Sequence, residues 1–291
     1  MTGAPVSWRF EAIGTRWEIV TEAALPPAAR ALVAETVDRF DRAWSRFRSD
    51  SLVSRLAAGG SVPPPDDAGD MLGVFAELTG ATGGAVSPLV GDALAARGYD
   101  ADYSLVDRGA LPSREDWRTR LRWDAERLQL DGPATIDVGA LGKGRLVDLV
   151  GACLAPWTGD GALVVDAGGD VLVRGTTERI GLEHPYDPTR AIGVWEMTDA
   201  ALCASAVTRR AWGEGLHHVL DARTGEPVRA VAATWAVAAT AMRADAAATA
   251  LFFAGGAELA ARWGVSWVRM RTDGTVDWSP GCTAEVFRSA R

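Results

Sequence analysis

Lysine is nearly missing from this chain. Of its 30 basic residues all but one are arginine, and Lys143 is the exception. An arginine bias of this kind fits a GC-rich coding sequence, and it makes the one surviving ammonium a position to explain. Cysteine and histidine are scarce too, three of each. Cys153, Cys203 and Cys282 are far apart, odd in number and without CxxC spacing, so they read as reduced core thiols and not as a disulfide framework. The histidines show no HExxH spacing, and no zinc cluster is expected. No run of 18 apolar residues occurs, so no transmembrane segment is predicted. Met1 to Pro5 offer neither a charged nor an apolar leader region, which predicts a cytoplasmic protein. Basic charge is in deficit, 30 against 38 acidic residues for a net −8, and this disfavours a nucleic-acid partner.

What is present is globular. Apolar residues make up 48% and charged residues 23% of 291, values at which a chain folds around a core. The twelve tryptophans read as core filler and surface cover. Residues 8–20 alternate as a strand pair broken at Gly14. Pro26-Pro27 then opens an amphipathic helix carrying Leu32, Val33, Val37, Phe40, Trp44 and Phe47 at helical spacing. Further helices are predicted over 66–79, 88–96, 143–154, 243–254 and 257–263, and a loop over 59–65. Strands are predicted at 127–130 and 134–138, repeatedly between 162 and 238, and at 265–271 and 275–278. Strands cluster between helices instead of alternating with them, which favours an α+β fold with mainly antiparallel sheet and flanking helices. No repeat or linker divides the chain, so 1–291 reads as one domain.

Four segments could carry chemistry. The first runs from Ile136 to Asp148, where a strand-like stretch ends at Asp137 and three glycines, Gly139, Gly142 and Gly144, surround the start of a helix at Lys143. Backbone N–H groups at a helix start, with one lysine, suit an anion such as a diphosphate. The segment is no P-loop, because Asp137 and Gly144 stand where that pattern needs glycine and Ser/Thr; alone, it also fits a tight connection. The second is Asp166-Ala167-Gly168-Gly169-Asp170, which reads equally as a hairpin turn. In the third, Asp245 and Thr249 are four apart on a predicted helix and share a face. Small alanines surround them, and both side chains are hard oxygen donors suited to Mg²⁺; a dipole-favoured Asp and a mid-helix Thr fit the same pattern. The fourth holds His217 and His218, neighbours on a predicted strand, so only one should reach a given pocket.

In this order the segments resemble the ApbE family, the FAD:protein FMN transferases. Ala12-Ile13-Gly14-Thr15 is similar to the family's A-M-G-T, and residues 44–56 match its next block. Gly83 to Gly91 resembles G-G-x-F-D-P-T-V-G, and Asp137 to Asp148 resembles D-L-G-A-I-A-K-G-Y-A-V-D. Ala167 to Asp170 matches A-G-G-D, His217 to Gly225 resembles H-H-I-I-D-P-R-T-G, and Ala244 to Ala250 resembles A-D-A-L-A-T-A. Seven pieces in order span residues 12–250.

The resemblance implies a single catalytic domain with FAD as substrate and Mg²⁺ as cofactor. Its FMN half would pass to a threonine hydroxyl of an acceptor protein with an FMN-binding-type domain, releasing AMP. Carried over by position, the metal would be held by Asp245, Thr249 and the backbone carbonyl of Ala140. Ile13, Phe47, Ala85, Val86, Ser87, Asp137, Lys143 and Leu216 fall at nucleotide-contacting positions. His218 would stand beside the diphosphate, with His218 or Asp245 aiding deprotonation of the acceptor. In so acidic a chain Mg²⁺ is expected to supply the positive charge. The sequence departs from the pattern in four places. Phe47 stands where tyrosine is frequent, Ser87 where aspartate is, Asp166 where asparagine is, and Ala204-Ser205-Ala206 replaces Thr-Ser-Gly. Two alternatives remain open at this level: a Mg²⁺-dependent FAD pyrophosphatase giving FMN and AMP, and a non-catalytic flavin-binding paralogue.

Overall fold

A computed structural model describes residues 4–113 and 116–287; the leader-free reading of Met1 to Pro5 falls partly outside them. At its centre is an eight-stranded antiparallel sheet whose strands lie side by side in chain order. They are Val6–Ala12, Thr15–Thr21, Leu163–Asp166, Asp170–Arg174, Ala201–Ala206, Val231–Ala238, Ser266–Arg271 and Val276–Trp278. The fold is thus α+β with mainly antiparallel sheet, as the clustering of strands implies.

Side chains alternate across a strand, and here both faces are covered. Leu172, Ala201 and Cys203 point to one layer of packed residues, and Val171, Val173 and Leu202 to another. The first layer carries the helices Pro27–Trp44, Ala68–Ala81, Gly142–Thr158 and Ala241–Ala250. The second is the hairpin Thr177–His184 with Asp187–Thr198, which buries Leu182, Ile192, Trp195 and Met197. Among the described residues no helix is long and apolar enough to cross a membrane.

The Gly142–Thr158 and Ala241–Ala250 helices meet at unusually short range. A Cβ on Gly144 would lie 2.2 Å from the Ala241 carbonyl oxygen and 2.7 Å from Asp245 Cβ. Asp148, one turn further on, accepts from the Ala241 and Met242 N–H groups at 2.7 and 2.9 Å, satisfying otherwise orphaned donors at that helix start. Thr240 adds the N-cap.

Several elements differ from the sequence reading. Residues 134–138 are not a strand. Their apolar alternation is real, with Ala134, Ile136 and Val138 buried, but their backbone bonds go to loops: Ala134 N–H to Ala57 O, Asp137 N–H to Pro88 O, and Thr135 to the Asp92 carboxylate. The 88–96 helix begins only at Gly91. The 59–65 loop contains a short strand, Gly60–Val62, paired with Leu128–Leu130. The strand predicted to carry His217 and His218 is broken into Leu216–His217 and Leu220–Asp221, which pair with different partners. The His217 ring stitches the break, bonding Val219 N–H through Nδ1 at 3.3 Å and Val228 O through Nε2 at 2.9 Å.

Candidate active site

The helix-side ends of several connections converge on a cleft of about 850 Å³. The Ile13-Gly14 turn and the Gly168-Gly169 turn form part of its wall. Ile13, Gly14 and Gly168 all have positive φ, at 46°, 71° and 70°, and Thr15 Oγ1 locks the turns together by donating to Ala167 O at 3.2 Å. Residues 85–87 follow the Gly83-Gly84 turn and are pinned by Thr79 and Thr82, whose hydroxyls bond Val86 O and Val86 N–H. The Ser87 hydroxyl accepts from Leu89 N–H at 3.1 Å.

At the floor, Asp245 is buried on the Ala241–Ala250 helix, and one oxygen, Oδ2, accepts from Gly144 N–H at 2.9 Å. Thr249 lines the same cleft one turn later, as does Ala140, which precedes the Gly142–Thr158 helix. In the first turn of that helix Lys143 reaches across to Asp170, with Nζ 3.1 Å from Oδ1. Asp170 sits opposite Cys203 in the sheet register and is fully buried. The Lys143 ammonium is the cation paired with this buried carboxylate. Two buried carboxylates therefore share one ammonium. Burial, reinforced by the Asp170 charge, pushes Asp245 up to about 8 against the pull of Lys143 and Gly144 N–H. Burial likewise raises Asp170, with Lys143 opposing it. Burial acts to lower Lys143, but the charges of Asp170 and Asp245 outweigh it and the net direction is up.

This floor fits a divalent cation. Asp245 has a buried carboxylate whose negative charge the protein compensates poorly, and Thr249 and Ala140 line the same cleft. Among the described residues no group of three or more His, Cys, Asp or Glu side chains could hold a metal. A hard cation that keeps waters and substrate phosphates in its shell suits so sparse a set, and zinc does not.

Near the mouth Phe47 belongs to an aromatic group. Its ring lies 5.1 Å from that of Tyr103 at an interplanar angle of 8°, and edge-on to Tyr99. The Arg46 guanidinium stands 4.2 Å from the Phe47 ring centre, and Arg46 Nε donates to Asp137 Oδ2 at 2.5 Å. Asp137 also accepts from Gly139 N–H at 2.7 Å, which folds the connection toward the helix start. His218 lines the cleft and His217 does not, so only one of the pair reaches it, although His218 lies in the break between two strands. Burial, and after it the Arg210 charge, lowers His218 to about 3, so its imidazole is neutral; its buried Nδ1 has no partner.

Ile13, Phe47, Ala85, Val86, Ser87, Asp137, Ala140, Lys143, His218, Asp245 and Thr249 all line this one cleft. Leu216 does not. It packs beneath, with Leu94, Tyr99, Trp212 and Leu220. Sequence reasoning named Asp170 only within a segment that reads equally as a hairpin turn, and it assigned no role to Arg46, Tyr99, Tyr103 and Arg210. Asp170 carried a signal, a charge directly after two glycines at the end of an apolar strand; the others carried none. Arg16, Arg46, Arg48, Lys143, Arg209 and Arg210 line the cleft with Asp41, Asp137, Glu183 and Asp245, so its lining is more basic than the chain as a whole, although Arg46, Arg48, Lys143 and Arg209 are each paired with a carboxylate. Arg210 donates to the Tyr99 hydroxyl at 2.8 Å and has no carboxylate partner among the described residues.

The model of the ApbE family matches residues 13–267. A protein of Rhodobacter capsulatus named FAD:protein FMN transferase is 28% identical over 305 aligned residues, covering 97% of this chain and 58% of that protein. The chain thus spans little more than half the length of that curated relative. Among solved structures, an ApbE protein of Thermotoga maritima superposes with a TM-score of 0.82 at 23% identity, over 94% of this chain and 97% of the other. A flavin transferase ApbE of Vibrio cholerae gives 0.78 at 21%, over 94% and 96%. These likenesses concern the fold.

Proposed function

The chain belongs to the ApbE family, and from that membership and the cleft we propose that it is a Mg²⁺-dependent FAD:protein FMN transferase acting through one catalytic domain over 1–291. The observation that carries this reading is the shared floor: Asp245, Thr249 and the Ala140 segment lie beside Lys143, within one basic cleft that also presents an aromatic ring at Phe47. A diphosphate with a flat ring system at one end matches that layout. The name of the Rhodobacter capsulatus relative supports FAD as the substrate.

In this reading Asp245, Thr249 and the Ala140 carbonyl hold Mg²⁺, which when bound neutralises diphosphate oxygens and aligns them for displacement. Lys143, steadied by Asp170, places its ammonium against the same anion. The acceptor's threonine oxygen forms a bond to the FMN phosphorus, the bond to the bridging oxygen breaks, and AMP leaves with that oxygen and its electron pair. No nucleophile from this chain is required, in keeping with the lack of a Ser-His-Asp or Cys-His set. The hydroxyl proton passes to His218. Asp245 already holds Gly144 N–H and faces the metal position, whereas neutral His218 has Nδ1 unpartnered; an arriving diphosphate raises its basicity.

The test mixes the protein with FAD, Mg²⁺ and an FMN-binding-type acceptor domain and follows the acceptor by intact mass. An FMN adduct on threonine is expected. Free FMN and AMP without adduct would replace this reading with a pyrophosphatase, and unchanged FAD would replace it with a binding protein.

His218→Asn is expected to lower the transfer rate about 10²-fold, within the usual range for a lost general base, and to change acid stability in a defined direction. The folded imidazole protonates near 3 and the unfolded one near its ordinary 6.5. Below 6.5 the unfolded chain takes up a proton that the folded chain refuses, so His218 costs stability as pH falls. Two pH units amount to about 3 kcal/mol. Thermal melts should show the wild type losing ground to the variant between pH 6.5 and 4.5; parallel curves would refute the neutral buried imidazole.

A further inference from the structure

The aromatic group at the cleft mouth contains a residue to which the proposed reaction assigns nothing. Tyr103 is 51% exposed, yet its ring lies almost parallel on Phe47, the residue proposed as the flavin's stacking face. Its centroid is 5.1 Å away, so the two rings are already in van der Waals contact. A flavin that stacks on Phe47 therefore meets Tyr103 first.

The surroundings of Tyr103 show where it can go. Tyr103 lines both the main cleft and a smaller hollow of about 230 Å³, the latter lined also by Leu105, Arg210 and Trp212. The hollow beside the cleft offers its ring somewhere to go. The backbone on which it stands is stapled at its base. Gly98 O accepts from Leu105 N–H at 2.9 Å, and the Asp100 carboxylate takes both Ser104 N–H and the Ser104 hydroxyl. Arg97 anchors the start of the loop through Asp107 and Glu226. A stapled loop favours movement of the ring over movement of the loop. Tyr103 also carries a positive φ of 51°, a conformation that a tyrosine adopts only when its surroundings impose it.

We infer that Tyr103 is the second wall of the flavin subsite: its ring swings toward the hollow, admits the isoalloxazine against Phe47, and closes on the ring's other face. Three stacked layers need the two protein rings about 7 Å apart, some 2 Å more than they are now. The subsite then selects for a broad flat ring, which can be sandwiched, over smaller groups that cannot hold the two aromatics apart. This assignment rests on the proposal that FAD is the substrate.

The experiment titrates FAD into the wild type, Tyr103→Ala and Tyr103→Phe, reading flavin fluorescence, with ADP as a competitor that has the diphosphate but no flavin. Tyr103→Ala is expected to weaken FAD binding about tenfold, the weight of one stacking contact, and to restore part of the quenched fluorescence. Tyr103→Phe should match the wild type, and ADP should bind all three alike. Unchanged FAD affinity and quenching in Tyr103→Ala would overturn the assignment, as would an equal loss for FAD and ADP, which would mark a structural role. A wild-type chain that binds no FAD would overturn both the assignment and the reading beneath it, and so is distinguishable from either.

Discussion

Asp245→Ala is expected to remove Mg²⁺-dependent FAD cleavage, by about 10³-fold or more, because the proposed cation loses its one carboxylate and the diphosphate its alignment. The same substitution should leave the fold intact or strengthen it. Burial pushes the Asp245 carboxyl up to about 8, so near neutral pH the folded protein holds this acid in a form the unfolded chain would ionise, and folding bears that cost. Against this gain stands one lost hydrogen bond from Gly144 N–H. A variant that is stable and inactive separates the metal role from a structural one. Full cleavage activity, measured as AMP release over a magnesium titration, would sink the assignment of the metal site to this residue.

Gly144→Ala carries the second large effect, and its sign is the diagnostic. In an exposed helix, replacing glycine by alanine stabilises by about 1 kcal/mol. Here the new methyl would sit 2.2 Å from the Ala241 carbonyl oxygen and 2.7 Å from Asp245 Cβ, so the two helices must part. Overpacking against backbone costs about 3 kcal/mol, which lowers the melting temperature by roughly 6–12 °C for a chain of this size. Separation of the helices also draws Gly144 N–H away from Asp245, so FAD cleavage should fall along with stability. A variant that melts at or above the wild-type temperature would refute the close approach.

These two residues illustrate how far the sequence could be read. Asp245 and Thr249 share a helix face by spacing alone, and Lys143 drew attention by being the only lysine. The turn glycines near both were visible as breaks between periodic segments. What spacing could not supply was partnership across the fold. Asp170 matters because the strand register sets it opposite Cys203 and under Lys143, and Tyr103 matters because a distant loop lays it on Phe47. Leu216 shows the converse, a position assigned by alignment whose side chain packs below the cleft. The 134–138 segment shows why period-2 patterning can mislead. Alternation reports which side chains are buried, whereas a strand also needs a neighbour for its backbone, and here loops and the Asp92 carboxylate take that place.

The chain-order arrangement of the sheet bears on how the protein is made. Neighbouring strands are joined by modest connections except at one junction, where residues 22–162 separate the second strand from the third. The Val6–Thr21 hairpin is made well before its neighbour, and it has no sheet to join until residues 163–166 have followed. That closure spans the longest loop in the sheet and carries its largest entropic cost. The helix bearing Lys143 closes this junction just before the third strand, and the helix bearing Asp245 comes later still. Ile13 is therefore synthesised long before Lys143, Asp245 and Thr249, which line the same cleft. The nascent chain cannot hold nucleotide in this cleft until translation has passed Thr249, so catalytic competence and completion of the sheet are expected to appear together.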